Sequence, residues 1–149
     1  MAFIIIRHAS AGERGTWGND DLDRPLDRRG EAQALGLVAV LAAYPLDRVL
    51  SSPALRCVQT VAPLASRREL EVEAADSLLE GAGDKADPLA DSLWGAAVAV
   101  CTHGDIVPVL LDSAVRRRGF TIDAPRWEKG SCWVLDYATR TAEYLPPPV

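Results

Sequence analysis

Phe3-Ile4-Ile5-Ile6-Arg7-His8 is an apolar run that ends in two basic residues. Consecutive apolar residues predict a strand that is buried on both faces, and we place this strand at residues 2–7. A second run of this kind, residues 97–101, leads into Thr102-His103-Gly104. Buried strands are typical of parallel sheets, whose ligands bind at the carboxyl ends of the strands. We therefore expect His8 and His103, the only two histidines of the chain, to meet in one pocket at that edge.

Strands and helices alternate along the chain. Besides residues 2–7, we expect strands at residues 49–50, 70–74, 97–102, 132–137 and 142–145, and helices at residues 28–44, from residue 53, from about residue 87 and at residues 106–118. Asp27 and Asp105 are the expected caps of two helices, and Pro63 should kink the second helix or end it early. This alternation predicts an α/β fold, a three-layer α/β/α sandwich with a mostly parallel central sheet, in a single domain over residues 1–149.

The segment Ser52-Pro53-Ala54-Leu55-Arg56 indicates an anion-binding site. Ser52 is the expected N-cap of the second helix and Pro53 its first residue, which puts Arg56 in the first turn. The free N–H groups of a helix start and the positive end of its dipole attract anions. The guanidinium groups of Arg7 and Arg56 would add planar donors that suit phosphate oxygens.

Four motifs in this order resemble the histidine phosphatase (phosphoglycerate mutase-like) superfamily. They are Arg7-His8, Ser52-x-x-x-Arg56-x-x-Gln59-Thr60, an acidic residue after the third strand, and Thr102-His103-Gly104. The segment Arg24-Pro25-Leu26-Asp27-Arg28-Arg29-Gly30 is similar to the segment that opens the first helix in the short, SixA-type branch. The chain also resembles the phosphatase domain that follows some Nudix hydrolases. The likeness covers nearly the whole chain and departs from the family at Ala9, where many members have Gly.

The resemblance implies a phosphatase that forms a covalent phosphohistidine on His8. Arg7, Arg56 and His103 would bind the oxygens of the transferred phosphoryl group, with Ser10 and the backbone N–H of Gly104 as further donors. The nearby guanidinium charges should lower the pKa of His8. Its second ring nitrogen should donate to a backbone carbonyl in the loop that follows, so that the other nitrogen faces phosphorus.

Glu80 follows the third strand and matches the acidic position of the family. We expect it to act as the general acid that protonates the leaving group. A solvated loop carboxylate is the other interpretation of Glu80, and Glu73 and Asp84 compete for the same role. Few residues separate Glu80 from the fourth strand, so the pocket should be shallow and open.

An open pocket favours phosphohistidine on a protein as the substrate, with a nucleotide or a sugar phosphate as the alternative. A non-catalytic phosphoprotein-binding module would keep the same pocket without turnover. An interaction subunit that uses the basic run Arg116-Arg117-Arg118 is a third hypothesis, although cations are common at the end of a helix.

The composition is that of an ordinary globular protein. The chain has 149 residues, of which 48% are hydrophobic and 25% are charged, and a net charge of −5, which argues against a general nucleic-acid binder. Its three cysteines lack CxxC spacing, so we expect no disulfide framework and no zinc site. No cluster of His, Cys and carboxylate residues has the spacing of metal ligands, and we expect neither a metal ion nor a cofactor. The first apolar run is too short for a signal peptide or a membrane span. We expect a cytoplasmic protein, monomeric or weakly dimeric, that acts on a phosphorylated protein or a small phosphorylated substrate.

Overall fold

A six-stranded sheet forms the centre of the computed structural model, which describes residues 1–149. Its strands are β1 (Ala2–Arg7), β2 (Arg48–Ser51), β3 (Val72–Ala74), β4 (Val98–Thr102), β5 (Cys132–Asp136) and β6 (Ala142–Leu145). They lie in the order β3-β2-β4-β1-β5-β6. Pairing is parallel from β3 to β1, and it is antiparallel between β1 and β5 and between β5 and β6. The sheet is thus mostly parallel, as the alternation of elements predicted.

Helices cover both faces of this sheet. They are α1 (Arg28–Val40), α2 (Leu55–Arg67), α3 (Ala86–Leu93) and α4 (Val107–Arg118). Residues of α1 and α2 share one apolar core with the sheet, and residues of α3 and α4 share the other. The predicted three-layer α/β/α sandwich is confirmed. None of the helices is long and apolar enough to cross a membrane.

Strand β1 contributes to both cores. Phe3 and Ile5 pack on the side of α3 and α4, while Ile4 and Ile6 pack on the side of α1 and α2. Side chains alternate between the faces of a strand, so a strand covered on both faces is apolar at every position. Burial of each of these side chains contributes about 1.5–3 kcal/mol. The result is a rigid central strand that delivers the next residue, His8, to the edge of the sheet.

Two helices begin later than predicted. Helix α2 starts at Leu55, and its N-cap, Ala54, has no side-chain cap. The hydroxyl of the expected cap, Ser52, accepts from the Ala54 N–H at 3.2 Å and also contacts Nε2 of His103 at 2.8 Å. Helix α4 starts at Val107 rather than Ile106. The carbonyl of His103 accepts from the first free amides there, and the Asp105 carboxylate accepts from the Gly81 N–H instead of capping the helix.

Other boundaries differ by a few residues. Asp27 is confirmed as the cap of α1, with its carboxylate accepting from the Gly30 N–H at 2.8 Å, but α1 ends at Val40 rather than near Tyr44. Pro63 lies inside α2, which continues to Arg67, so the helix does not end there. Strand β3 covers Val72–Ala74 and is shorter than the predicted strand at residues 70–74.

The basic run at the end of α4 is paired. Its arginines contact carboxylates of Asp87, Asp91 and Asp112, and Gly119 follows in the left-handed conformation that ends many helices. The three cysteines, Cys57, Cys101 and Cys132, are buried and free.

Candidate active site

One cavity of about 580 Å³ lies where β1 and β4 end. Five of the predicted site residues line it: Arg7, His8, Glu80, His103 and Gly104. The remaining lining is almost entirely polar and includes Glu13, Arg14, Arg24, Asp105, Trp127 and Lys129. Arg56 reaches the same place from the first turn of α2 and contacts Glu80 and His103. The topology therefore brings together side chains from four separate parts of the chain, at residues 7–8, 56, 80 and 103.

His8 is held in one orientation by the backbone around it. Its N–H donates to the Thr102 carbonyl at 3.0 Å, which joins the ends of β1 and β4. Nδ1 of the ring lies 2.8 Å from the carbonyl oxygen of Ala9. A carbonyl can only accept, so Nδ1 carries the ring proton and Nε2 keeps its lone pair. This is the arrangement predicted from the sequence.

Burial is the main cause that lowers the pKa of His8, to about 3. The hydrogen bond to Ala9 acts in the opposite direction, and the electrostatic effects of Arg56, His103 and Arg7 lower the pKa further. The direction agrees with the sequence prediction, but burial contributes more than the guanidinium groups. His8 is consequently neutral at physiological pH, in the form that can attack an electrophile.

His103 is almost fully buried next to His8, and the centres of the two rings are 5.5 Å apart. Nε2 of His103 lies 2.8 Å from the hydroxyl oxygen of Ser52. Nδ1 lies 3.3 Å from Nη2 of Arg56 and 3.4 Å from Oε1 of Glu80. One side of the ring thus contacts Ser52, just after β2, and the other side faces Arg56 and Glu80.

Arg7 is oriented by a hydrogen bond from Nη1 to the Trp127 carbonyl at 2.8 Å. Its guanidinium packs over Gly104, where a Cβ atom would lie 2.8 Å from Nη2 of Arg7. Gly104 is therefore needed for this approach. Arg56, only 1% exposed, donates from Nη1 to the Asp21 carbonyl at 2.9 Å. The Nε atoms of both arginines are buried without a hydrogen-bond partner, which leaves donor capacity for an anion.

The carboxylate of Glu80 contacts the guanidinium group of Arg56. Its Oε1 is 2.5 Å from Nη2 of Arg56, and both carboxylate oxygens accept from Nη2 of Arg14 at 2.8 and 2.9 Å. Burial raises the pKa of Glu80, but the hydrogen bond from Arg14 and the positive charges around it outweigh burial and leave the pKa below its usual range. Glu80 is accordingly ionised in this structure.

The competing carboxylates lie elsewhere. Glu73 pairs with Arg48 at 2.8 Å on the outer strands β3 and β2. Asp84 lines a separate surface depression next to Glu80 but not the main cavity. Of the three carboxylates considered, only Glu80 faces the two histidines.

Ser10 is not placed to bind a phosphate. Its hydroxyl donates to the Asp27 carboxylate at 2.7 Å, and Ser10 does not line the main cavity. The prediction failed because Asp27 also accepts from Gly12 and Gly30 and draws the loop after β1 onto the start of α1. Trp127 lines the mouth of the cavity, whereas Trp17 does not.

Several residues of the site could not be found from the sequence. Arg14, Arg24 and Lys129 come from loops and from single 3-10 turns, which are too short for periodicity to indicate which way a side chain points. Thr60 belongs to the motif identified in the sequence and lies one turn after Arg56. Its hydroxyl accepts from the Ala9 N–H at 2.9 Å and donates to the Arg56 carbonyl at 2.6 Å, which ties the loop of His8 to α2. No group of three or more His, Cys, Asp or Glu side chains is arranged to hold a metal ion.

Comparisons with known proteins agree with this arrangement. The model of the histidine phosphatase superfamily (branch 1) matches residues 3–92. An 8-oxo-(d)GTP phosphatase of Mycolicibacterium smegmatis is 34% identical over 164 aligned positions, which cover 97% of this chain and 48% of the relative. The chain thus spans about half the length of this curated relative.

Solved structures share the fold. SixA from Agrobacterium tumefaciens superposes with a TM-score of 0.77 at 22% identity, over 98% of this chain and 97% of that chain. The protein histidine phosphatase SixA in complex with tungstate gives a TM-score of 0.72 at 22% identity, over 99% and 97%. A mycobacterial glucosyl-3-phosphoglycerate phosphatase in complex with VO3 gives 0.72 at 18% identity, over 96% of each chain.

The matched residues 3–92 make up more than half of the chain and contain three of the four motif residues, Arg7, His8 and Arg56. The fourth, His103, lies next to them at the edge of the sheet. The chain belongs to the histidine phosphatase superfamily, branch 1.

Proposed function

We propose that the protein is a phosphatase that uses Nε2 of His8 as its nucleophile. The observation that carries this proposal is the neutral His8 ring, whose proton is held on Nδ1 by Ala9 and whose lone pair remains on Nε2. In the first step Nε2 attacks phosphorus, the bond from phosphorus to the leaving group breaks, and the leaving group takes up a proton. In the second step water attacks the phosphohistidine, and inorganic phosphate and the neutral imidazole are regenerated.

The charge that develops on the phosphoryl oxygens would be met by Arg7, Arg56 and His103 together with the backbone N–H of Gly104. The Nε atoms of both arginines are buried without a hydrogen-bond partner, so each guanidinium keeps one unused donor. A phosphoryl oxygen on Arg56 would take the place of the Glu80 carboxylate. Release from Arg56 would raise the pKa of Glu80 and free it to exchange a proton with the leaving group and then with water.

His8→Ala tests the nucleophile. We expect the variant to lose turnover of p-nitrophenyl phosphate, and rapid quench of the wild type to trap a phosphoenzyme that is labile in acid and stable in alkali. Phosphate found on serine or cysteine would contradict the proposal. A wild type that binds phosphate but shows no turnover of any substrate would instead be a phosphoprotein-binding module.

For the substrate, we propose phosphohistidine on a protein. Only the segment from Gly81 to Ala97 lies between Glu80 and β4. It contains a 3-10 turn, Gly83–Lys85, and the short helix α3, which packs on α4 in the core. No long insertion covers the cavity, so a phosphorylated side chain on a larger body could enter it. Turnover of a phosphohistidine protein at a higher kcat/KM than small phosphate esters would support this substrate class.

A nucleotide is the second candidate, favoured by the relative named as an 8-oxo-(d)GTP phosphatase and by surplus positive charge in the cavity. Lys129 lies there with Arg7 and Arg24, makes no ion pair, and has a pKa lowered by burial and by these neighbours. Such a cation suits a second phosphate. For a nucleotide enzyme we expect Lys129→Gln to reduce kcat/KM for nucleoside diphosphates more than for monophosphates, with Lys85→Gln, outside the main cavity, as the control. Equal effects on both nucleotides would contradict this candidate.

A further inference from the structure

Gln33 is a polar side chain of α1 that is only 1% exposed and lies outside the main cavity. Its Oε1 accepts from the Ser10 N–H at 2.9 Å, in the loop that follows His8. We propose that Gln33 is a positioning residue that orients His8 through the peptide group between Ala9 and Ser10. The inference rests on the proposed function, in which His8 is the nucleophile.

The peptide group between Ala9 and Ser10 connects the two side chains. Its carbonyl oxygen, on Ala9, lies 2.8 Å from Nδ1 of His8, and its N–H, on Ser10, donates to Gln33. No peptide bond of the chain is cis, and in a planar trans peptide group the C=O and the N–H point in opposite directions. Gln33 and His8 therefore bind opposite edges of one rigid unit. A hydrogen bond that fixes the N–H also fixes the direction of the carbonyl.

The same hydrogen bond acts through polarisation. Hydrogen bonds in a chain strengthen one another, so the Ala9 carbonyl becomes a better acceptor when the N–H of its own peptide group donates to Gln33. A better acceptor favours the proton on Nδ1 of His8 and the lone pair on Nε2. No other group of the protein accepts from the Ser10 N–H, so no protein atom replaces the oxygen of Gln33 when it is removed.

The carboxamide of Gln33 is itself held in place. Its Nε2 donates to the main-chain oxygen of Val149 at 3.4 Å, and its oxygen therefore faces Ser10. A Cβ atom on Gly130 would lie 3.0 Å from Oε1 of Gln33, so a larger residue there would crowd the carboxamide. The Gly130 N–H donates to the carbonyls of Arg7 and His8 at 3.2 and 3.1 Å. Gln33 thus contacts the loop after His8 and packs against the residue that binds the end of β1.

Nitrogen-15 NMR of the imidazole rings measures the proposed effect at His8. The chain has only two histidines, and the ring signals that are absent from His8→Asn belong to His8. Gln33→Met removes the acceptor and keeps a long, unbranched side chain. We expect the His8 signals of the wild type to show a protonated Nδ1, and those of Gln33→Met to show a mixture of tautomers. Unchanged His8 signals in folded Gln33→Met would overturn the inference.

Turnover should change in rate without a change in phosphate binding. We expect kcat of Gln33→Met to fall about tenfold, the effect of one lost neutral hydrogen bond, because fewer rings present a lone pair to phosphorus. The inhibition constant of inorganic phosphate should stay unchanged, since Arg7 and Arg56 remain in place. A parallel loss of phosphate binding and kcat would contradict a positioning role at His8. Gln33→Glu keeps an acceptor oxygen in either protonation state and should recover both kcat and the tautomer.

Gln59→Met is the matched control. Gln59 makes the same type of hydrogen bond, with its Oε1 accepting from the Leu26 N–H at 2.9 Å, but it makes no hydrogen bond to the loop after His8. We expect Gln59→Met to lose stability without a change in the His8 ring signals. The same change of these signals in both variants would show that general loosening is the cause, and it would contradict the role of Gln33.

The outcomes separate this inference from the phosphatase proposal. Wild-type kcat and His8 signals in Gln33→Met, with turnover lost in His8→Ala, would overturn the role of Gln33 and leave the phosphatase proposal intact. Lack of turnover in the wild type would contradict the phosphatase proposal, and the ring signals would still decide whether Gln33 sets the tautomer of His8.

A variant that does not fold leaves two further measurements. Gln33→Asn, whose carboxamide is one methylene shorter, can replace Gln33→Met and should give the same mixture of His8 tautomers. In the wild type, the hydrogen bond itself predicts a scalar coupling between the Ser10 amide nitrogen and the Gln33 carboxamide carbon. Absence of this coupling would overturn the inference without any variant.

Discussion

Burial of the His8 ring keeps the ring neutral, and the neutral ring is the form that can act as a nucleophile. The ring is 5% exposed, and this burial keeps it neutral far below the pH at which an exposed histidine becomes charged. The protein must oppose protonation of this group in the folded state. The unfolded chain has no such constraint, so His8 links stability to pH.

We expect acid to destabilise the protein through His8. Its pKa is about 3 in the folded state and about 6.5 in the unfolded state, so between these values the unfolded chain binds more protons. The contribution is absent above pH 6.5 and grows as the pH falls, by up to about 1.4 kcal/mol per pH unit. Urea unfolding from pH 7 to pH 4.5 should show a shallower loss of stability for His8→Asn than for the wild type. Parallel curves for both proteins would contradict this.

Arg56→Lys should weaken inhibition by vanadate at least tenfold. One ammonium group cannot reproduce the several directed donors of the guanidinium, which here contacts Asp21, Glu80 and His103 at once. Arg48→Lys is the control, because Arg48 pairs with Glu73 away from the cavity. Unchanged vanadate affinity in Arg56→Lys would exclude Arg56 from the anion site.

Glu80→Gln should affect substrates according to their leaving groups. An alkyl alcohol needs a proton to leave, so its phosphate ester should lose about 10²–10⁴-fold in rate, whereas p-nitrophenolate leaves readily and its ester should lose far less. Turnover of both esters by the wild type and the variant is the measurement. Equal losses would show that Glu80 serves structure or binding, as its contacts with Arg14 and Arg56 also permit.

The sequence indicated the central site residues because regular elements carry them. Arg7, His8 and His103 follow buried strands, and Arg56 follows a helix start, so the fold class alone puts them at one edge of the sheet. The orientation of Ser10 was not predictable in this way, because Ser10 lies in a short loop rather than at the end of a strand or helix. Its hydroxyl donates to the Asp27 carboxylate. Lys129 was missed for the same reason.

At the scale of the elements, α1 depends on one glycine. A Cβ atom on Gly30 would lie 1.9 Å from the Ser10 carbonyl oxygen, a backbone atom that cannot move without moving the loop of His8. A Cβ atom on Gly36, in the same helix, would lie 2.5 Å from Cβ of Pro148, near the C-terminal end of the chain. Substitution of Gly36 is therefore a control for substitution of Gly30, because both glycines lie in α1 but only Gly30 contacts the loop of His8.

Gly30→Ala should therefore destabilise the protein by at least about 1–3 kcal/mol and lower kcat, since a shifted Ser10 displaces the Ala9 carbonyl that orients His8. Gly36→Ala should change stability little, because the gain in helix propensity, up to about 1 kcal/mol, offsets the displacement of Pro148. Thermal unfolding and turnover of both variants are the measurements. Similar behaviour of the two would disprove the close packing of α1 on the loop.

The helix starts show why boundaries were harder to predict than elements. Ser52 and Asp105 have the side chains of good caps, and a local pattern assigns them to the adjacent helices. In the folded protein each finds a partner from elsewhere, His103 and the Gly81 N–H respectively. Such partners are distant in sequence, so periodicity and capping rules could not reveal them.

At the scale of the whole molecule, we expect activity without a metal ion. Arginine side chains already supply positive charge in the cavity, and no cluster of ligands is arranged to hold a cation. Turnover should persist in excess chelator and should not rise when Mg²⁺ or Zn²⁺ is added. Loss of activity on chelation, with recovery on addition of a divalent ion, would show that the arginines do not carry the charge alone.

The pairing of β1 has a consequence for synthesis on the ribosome. Phe3 pairs with Val98 on one side and with Leu135 on the other, so both partners of β1 are made long after it. Non-local pairing of this kind is slow, and an unpaired apolar strand is prone to aggregate while it waits. The nascent chain carries His8 almost from the start of this domain, but the cavity is incomplete until Trp127 and Lys129 have also been made. A chain whose translation stalls before that point therefore exposes an apolar strand and lacks the complete cavity. We expect chaperones that bind residues 3–6 to prefer this incomplete chain to the finished protein.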